Sequence, residues 1–338
     1  MFMKDWESLP EQFLSRLNRI IPDQKVRLSL LESYTKQRPI TLRANTLKLT
    51  GNHLDDIFTR KGISFRRPGW YRDAFILEGM TVRKLTELPE HHEGKLYIQR
   101  LSSMLPPLVL DPQPGEKILD IAAAPGSKTT QMAALMGNTG SIIANDTSRI
   151  RMLRLKANVK MQGATNVSFA SLPGQIIWKQ YPEYFDRVLA DVPCSMEGRF
   201  NTTEPKTYAS WTSGKVRQLS EIQKWILRSA FSSLRVGGRL VYATCTLSPE
   251  ENEVVIDWLL KKEGGNIEPE PIRLPGVLTV PGFRQWQGRK FDDRIIQAIR
   301  IFPSAEMEGF FVAVLRKIKS NLPQHLRSSI DVKKISEV

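Results

Sequence analysis

Apolar residues open the chain at three- and four-residue spacing. Leu9, Phe13, Leu17 and Ile20 share one helical face, so residues 1–35 read as helical. Residues 36–95 mix two periods. RPITLRANTL reads as a strand, NHLDDIFTRKG as a helix stopped by Gly62, and AFILEG as another strand. That βαβ-like order predicts a small α/β module, closed by a polar, turn-rich linker at residues 88–95. From residue 96 the pattern becomes regular. Five short apolar runs, KILDIAA, GSIIAND, NVSFAS, FDRVLADVP and GRLVYATCT, alternate with helical segments at 128–136, RIRMLRLKANVKM, about 215–234 and PEENEVVIDWLLKK. Strands separated by helices of this length predict βαβ units and an open, parallel, Rossmann-like α/β sheet with helices on both faces. Ser248-Pro249-Glu250-Glu251 has the form of a capping box with proline at the first helical position. EGFFVAVLRK reads as a final strand, followed by a polar tail. The expected organisation is an N-terminal module at 1–95, a sheet domain at 96–319 and a tail at 320–338.

The 338 residues are 41% hydrophobic and 25% charged, enough to bury a core without a metal or disulfide staple. Glycine and proline, 21 of each, are spread without period, which excludes a collagen-like chain. No apolar stretch approaches the ~18 residues of a membrane span. The opening MFMKDWESLPEQF carries acids where a secretory signal needs a basic and then an apolar segment. A cytoplasmic monomer without membrane contact is expected. The formal charge of +14 points to a polyanionic partner, nucleic acid foremost, against the plainer alternative that many soluble proteins are simply basic. The excess is +6 over residues 1–100, +2 over 101–200 and +6 over 201–338. Basic flanks around a nearly neutral middle suit elements that grip a backbone around a reaction centre. Two cysteines frame no disulfide scaffold, and His53, His91, His92 and His325 are scattered, so no metal site is expected.

In open sheets, ligands bind at the carboxyl ends of the strands, near the point where strand order reverses. The first run ends in Asp120-Ile121-Ala122-Ala123-Ala124-Pro125-Gly126-Ser127-Lys128. Small residues let the backbone approach a ligand, and the following helix offers free N–H groups, although tight packing alone would also explain such a turn. It is neither GxGxxG nor a Walker loop. The second run ends in Asn145-Asp146, where nucleotide-binding sheets place a carboxylate on ribose hydroxyls, or where a helix takes its cap. The fourth ends in Asp191-Val192-Pro193-Cys194, and the fifth in Thr244-Cys245-Thr246. A lone cysteine is usually a small buried hydrophobe. Finding the only two at the ends of two strands is hard to explain by packing.

These motifs carry a resemblance. The segment YIQRLSSMLPPLVLDPQPG, the AAPGSKT loop, ANDTSRIRMLRLKAN, DVPCSMEG, TCTLSPEENE and RIFPSAEMEGFFVAVLRK resemble the NOL1/NOP2/Sun family of S-adenosylmethionine-dependent RNA cytosine-5 methyltransferases, in their RsmB/RsmF-like form, from about Arg43 to Lys317. The resemblance implies a class I methyltransferase sheet with a small N-terminal RNA-recognition module. It implies that Ala122, Ala123, Ala124, Pro125, Gly126, Ser127 and Lys128 cradle S-adenosylmethionine and that Asp146 holds its ribose hydroxyls. Cys245 would be the nucleophile that adds to C6 of cytosine, and Cys194 would assist release after methyl transfer. Asp191 would hydrogen-bond the N3/N4 edge of the base and, at the end of its strand, border the cofactor. Lys128 would hold the base or lower a thiol pKa.

The sequence departs from the family at several positions. Ala122 and Ser127 stand where cysteine and glycine are usual. Pro173 takes the place of an aspartate that would bind adenine, so either a neighbour such as Ser171 substitutes or cofactor binding is weaker. Met196 replaces a glycine, and RFNTTEP replaces an arginine-rich element. The implied partner is RNA, ribosomal first and transfer RNA second. Two other readings are a DNA cytosine-5 enzyme, against which the extra TC cysteine and the N-terminal module argue, and a non-catalytic RNA-binding or ribosome-assembly protein.

Overall fold

The computed structural model describes residues 5–324. Two helices open it, α1 (Glu11–Ile20) and α2 (Gln24–Ser33). The single helical stretch expected there is broken because Pro22 has no N–H to continue α1, and Asp23 caps α2 by accepting from Val26 N.

A four-stranded sheet follows, of β1 (Ile40–Ala44), β2 (Phe65–Arg66), β3 (Ala74–Leu77) and β4 (Leu96–Ile98) in the order β2-β3-β1-β4. It carries α3 (Gly51–Arg60), α4 (Val82–Thr86) and α5 (Pro89–His92). Every pairing is antiparallel, which corrects the βαβ reading. The two-residue β2 is too short to show as a period, yet it reverses the chain before β3. The expected linker at 88–95 is also absent. Its polarity has another origin, a helical turn whose buried Glu90 pairs with Lys61 at 2.7 Å.

All five apolar runs form strands: β5 (Lys117–Asp120), β6 (Ser141–Asn145), β7 (Val167–Ala170), β8 (Phe185–Asp191) and β9 (Leu234–Thr244). They pair in parallel. Beyond them lie β10 (Ile267–Glu270), β11 (Val280–Pro281), a hairpin of β12 (Gln285–Trp286) and β13 (Arg289–Lys290), β14 (Ile299–Ile301) and β15 (Phe310–Lys317). The main sheet runs β11-β14-β15-β9-β8-β5-β6-β7, with β10 beside β15. Because β15 joins β9 antiparallel, the sheet is mixed rather than wholly parallel as expected. The strands between β9 and β15 have four residues or fewer, below what periodicity reveals.

Helices α6 (Leu101–Leu110), α7 (Ser127–Leu135), α8 (Arg149–Gln162), α9 (Ser213–Ser233) and α10 (Glu253–Glu263) cover both faces. Alternate strand residues feed two cores. Leu119, Val188, Leu240 and Tyr242 pack with α9 and α10, while Ile118, Leu189 and Val241 pack with α6, α7 and α8. Phe13 and Leu17 of α1 join the first of these cores, not the small cluster of Leu42, Phe58 and Phe75 in the four-stranded sheet. From β5 the chain moves outward to β6 and β7, then crosses to β8 and β9 on the other side. The switch point is therefore between β5 and β8, and a crevice opens at their carboxyl ends.

Among the described residues no helix is long and apolar enough to cross a membrane. The polar tail begins docked: Asn321 Nδ2 donates to Ser232 Oγ at 3.0 Å, and Leu322 is buried. Residues 325–338, including His325, lie outside the described residues.

Phe13 is fully buried, with ring centroids 4.9 Å from Phe200 and 5.7 Å from Trp211. Phe13→Ala should cost about 3–5 kcal/mol of unfolding free energy in urea, the usual price of emptying an aromatic site in a core. A loss below ~1 kcal/mol would remove α1 from that core.

Candidate active site

The end of β5 buries Asp120, which accepts from Thr129 Oγ1 at 2.7 Å. Burial pushes its carboxyl up to about 7, with the Thr129 hydrogen bond and the Lys128 charge acting against the rise. The loop that follows is tied to the second strand: Ala123 N donates to Asn145 O at 2.8 Å and Ala124 N to Asp146 Oδ2 at 3.3 Å. Gly126 is required twice over. Its φ is 105°, and a Cβ there would lie 2.9 Å from Leu155 Cδ1. In the first turn of α7, Lys128 Nζ meets Asp191 Oδ2 at 2.6 Å and Ser103 Oγ at 2.8 Å. This ion pair spans the crevice from the β5 side to the end of β8.

The thiols come together because β8 and β9 run out side by side, with Val192 N donating to Ala243 O at 3.2 Å. Cys194 Sγ and Cys245 Sγ are 3.3 Å apart, and both are free. The Cys194 thiol is pushed well up, first by its hydrogen bond with Cys245, then by burial and by the charge of Cys245.

Two fully buried carboxylates hold the turns that carry these sulfurs. Glu251 accepts from Ser195 N at 2.9 Å, from Ser195 Oγ and from Gln223 Nε2 at 2.8 Å. Glu197 accepts from Trp211 Nε1 at 3.0 Å, Thr246 Oγ1 at 3.0 Å, Leu247 N at 3.2 Å and Ser248 Oγ at 2.6 Å. Gly198 N donates to Cys245 O at 3.0 Å, and a Cβ on Gly198 would sit 2.2 Å from Gly309 O. No larger residue fits that backbone contact. These bonds also correct the capping-box reading. Ser248 and Glu251 turn to the cysteine-bearing loops, and α10 starts at Glu253 without a side-chain cap. Buried tertiary donors and acceptors have outcompeted the local motif.

The crevice is a cleft of about 630 Å³. Ala122, Ala123, Ala124, Pro125, Ser127, Lys128, Asp191, Cys194 and Cys245 all line it. Gly126 and Asp146 are not among its lining residues. The Asp146 carboxylate is almost wholly buried and already accepts from Ala124 N, from Ser148 N at 3.0 Å and from Arg151 Nη2 at 3.2 Å. Ser171 and Pro173 are exposed beyond the end of β7 and do not line the cleft either.

A family model described as 16S rRNA methyltransferase RsmB/F matches residues 107–316, and one for the N-terminal domain of RsmF matches residues 9–100. The chain belongs to the RsmB/F methyltransferase family. It is 40% identical over 285 residues to a tRNA (cytosine(49)-C(5))-methyltransferase of Pyrococcus abyssi, covering 84% of this chain and 89% of that one. It is 35% identical over 319 residues to ribosomal RNA small subunit methyltransferase F of Vibrio campbellii, covering 92% of this chain but only 63% of that one. A methyltransferase homolog from Pyrococcus horikoshii superposes with a TM-score of 0.80 at 33% identity, covering 92% and 96%. The Rossmann-like class I methyltransferase fold expected from the sequence is the fold of this RsmB/F family member.

Sequence reasoning missed several residues of the site. Glu197 and Glu251 sit inside the motifs that carry the cysteines, so an acid near each thiol was a signal within reach. Arg100, Arg199 and Glu308 line the cleft from three separate segments, and no spacing connects them.

Burial raises the Glu251 carboxyl from its ordinary 4.5 to about 7, with the charge of Glu197 adding to the rise. A raised folded-state pKa contributes stability that is complete below pH 4.5 and is lost as pH climbs through 7. Glutamine does not titrate. The stability of the wild type relative to Glu251→Gln should therefore fall by roughly 3 kcal/mol between pH 4.5 and 7.5, read from urea unfolding at both pH values. A difference that stays constant with pH would show that Glu251 ionises normally.

Proposed function

We propose that the protein methylates C5 of a cytosine in RNA, with S-adenosylmethionine as methyl donor and Cys245 as covalent nucleophile. The observation that carries this reading is the pair of thiols 3.3 Å apart in a cleft shared with a small-residue loop and the Lys128–Asp191 pair. The RsmF and tRNA cytosine-C5 methyltransferases among its relatives support the reaction class.

The loop fits the cofactor. Ala122, Ala123 and Ala124 present nothing beyond Cβ to the cleft, and Gly126 lets the backbone turn where a side chain would strike Leu155. S-Adenosylmethionine supplies an electrophilic methyl group on a sulfonium. Asp146 would hold the ribose hydroxyls once the half-exposed Arg151 guanidinium moves off it.

C5 of cytosine is a poor nucleophile. Bond formation from Cys245 Sγ to C6 moves the electrons of the 5,6 double bond onto C5 and the N3 edge, making C5 enamine-like. Asp191, with Lys128 at 2.6 Å, faces that edge and stabilises the charge there. Cys194 keeps its proton at first, because its hydrogen bond to Cys245 and the charge of Cys245 both hold it up. Once Cys245 is bonded to carbon, both of these causes disappear, burial and the Glu251 charge remain, and Cys194 passes its proton to solvent water at the open cleft. It then takes the proton from methylated C5, the double bond re-forms, and the Cys245 thiolate leaves. Ribosomal RNA is the favoured substrate on the family match, and transfer RNA is second on the Pyrococcus abyssi relative.

Cys245→Ala should abolish methyl transfer and any covalent RNA adduct. Cys194→Ala should leave the adduct unresolved, visible as an RNA-linked band on a denaturing gel. An adduct with Cys245→Ala but none with Cys194→Ala would reverse the two roles. The target base must also leave its stack, at a cost of a few kcal/mol. A cytosine in an RNA loop should therefore be methylated faster than the same cytosine in a continuous duplex, and equal rates would overturn that expectation.

A further inference from the structure

Two arginines, Arg100 and Arg199, line the cleft from distant segments, and a third, Arg38, lies within electrostatic reach of both. Arg38 lies between α2 and β1, Arg100 stands at the N-cap of α6, and Arg199 follows the Cys194 turn. One carboxylate pairs with Arg100 and Arg199. Glu308, only 6% exposed, takes Arg199 Nε at 3.3 Å and Arg100 Nε at 3.6 Å on the same oxygen. Arg38 donates from Nε to Ser304 O at 3.2 Å, but its Nη2 is buried without a hydrogen-bond partner. Burial lowers the Arg38 pKa, and the charges of Arg100 and Arg199 lower it further, against Glu308 and Tyr34. Arg199 is raised, chiefly by Glu308, with the two cysteines contributing, so its guanidinium is in electrostatic reach of both sulfurs.

Three positive charges therefore stand within reach of one negative, and a buried guanidinium nitrogen has no acceptor. Buried donors are nearly always satisfied, and this one, unlike the partnerless nitrogens of Arg16, Arg228 and Arg239, lies within electrostatic reach of two further arginines that line the cleft. Its neighbours call for an anion that can meet several guanidinium groups at once. A phosphodiester has that form, with two non-bridging oxygens placed to accept from guanidinium forks.

We infer that Arg38, Arg100 and Arg199 form a binding site for an RNA backbone phosphate beside the target cytosine, with Glu308 holding the arginines in place until RNA arrives. The inference rests on the RNA reading above and adds the place where the backbone is gripped. Displacing Glu308 would couple backbone binding to the thiols, because Arg199 would then exchange a fixed carboxylate for the phosphate next to the reacting base.

Binding of a single-stranded oligocytidylate RNA, followed by fluorescence anisotropy across a salt series, tests this on the full chain. Thermal melts confirm that each variant is folded. Arg38→Gln and Arg199→Gln should each weaken binding several-fold at low salt and reduce the log–log salt slope by about 0.7, the value for one single-strand phosphate. Glu308→Gln should tighten binding, because it removes the competing carboxylate. Arg316→Gln serves as control. Arg316 pairs with Arg239 at the opposite end of β9 from the cleft, and its loss should leave the slope unchanged. Folded Arg38→Gln and Arg199→Gln proteins with unchanged slopes would overturn the site. So would weaker binding by Glu308→Gln, or an equal loss of slope in Arg316→Gln. Methyl transfer with unchanged slopes would sink the phosphate site alone, whereas altered slopes without methyl transfer would sink only the methyltransferase reading.

Discussion

Two carboxylates buried beneath the thiols set the geometry on which the rest depends. An ionised group out of water is costly unless donors surround it, and breaking one member of such a network leaves a charge unmet. Glu197 and Glu251 draw their donors from the β8 turn, the β9 turn, α9 and Trp211. The two cysteine-bearing turns are thus fixed to each other through shared acceptors rather than through packing alone. Even the chain start takes part. Tyr34 donates its hydroxyl proton to Glu197 O at 2.7 Å, and Arg16 Nη2 donates to Ser248 Oγ at 3.1 Å. Helix α1 and the end of α2 are thereby tied to the turns that follow Cys194 and Cys245.

Above that base the cleft is organised by charge. Lys128 and Asp191 pair across the switch point at 2.6 Å, and both side chains line the cleft. Asp120 lies behind them with its carboxyl raised to about 7 by burial, so its charge is partly withdrawn near neutral pH. The rim is different in kind, an excess of guanidinium groups around Glu308. One cleft thus sets a charge-paired floor beside a rim with an excess of guanidinium groups.

Much of this was legible in the residue order. The apolar runs became β5 to β9 because the central strands bury both faces of the sheet, which leaves a near-continuous hydrophobic signature, whereas the edge strand β7 is only partly covered. The convergence of the site residues was legible for a related reason: loops at the carboxyl ends of those strands meet where strand order reverses, so the alanine-rich loop, Asp191 and the two cysteines line one crevice. Asp146 shows the limit of that logic. Its position at the end of β6 was correctly read, but Arg151 and Ser148, which occupy its oxygens, come from the next helix and its cap.

The sequence by itself determined the repeating strands and helices, the place of each cysteine at the end of an apolar run, and the basic flanks, because each is a local or evenly spaced pattern. Only the tertiary structure decided that β15 runs antiparallel and that Ser248 and Glu251 serve the cysteine loops instead of capping α10. It also decided that Arg100, Arg199 and Glu308 meet at one rim, with Arg38 in electrostatic reach of all three. Short strands carry too few residues to show a period. A buried polar side chain takes whichever partner the fold brings within about 3 Å, and residues separated by up to 270 positions have no spacing from which that partner could be read.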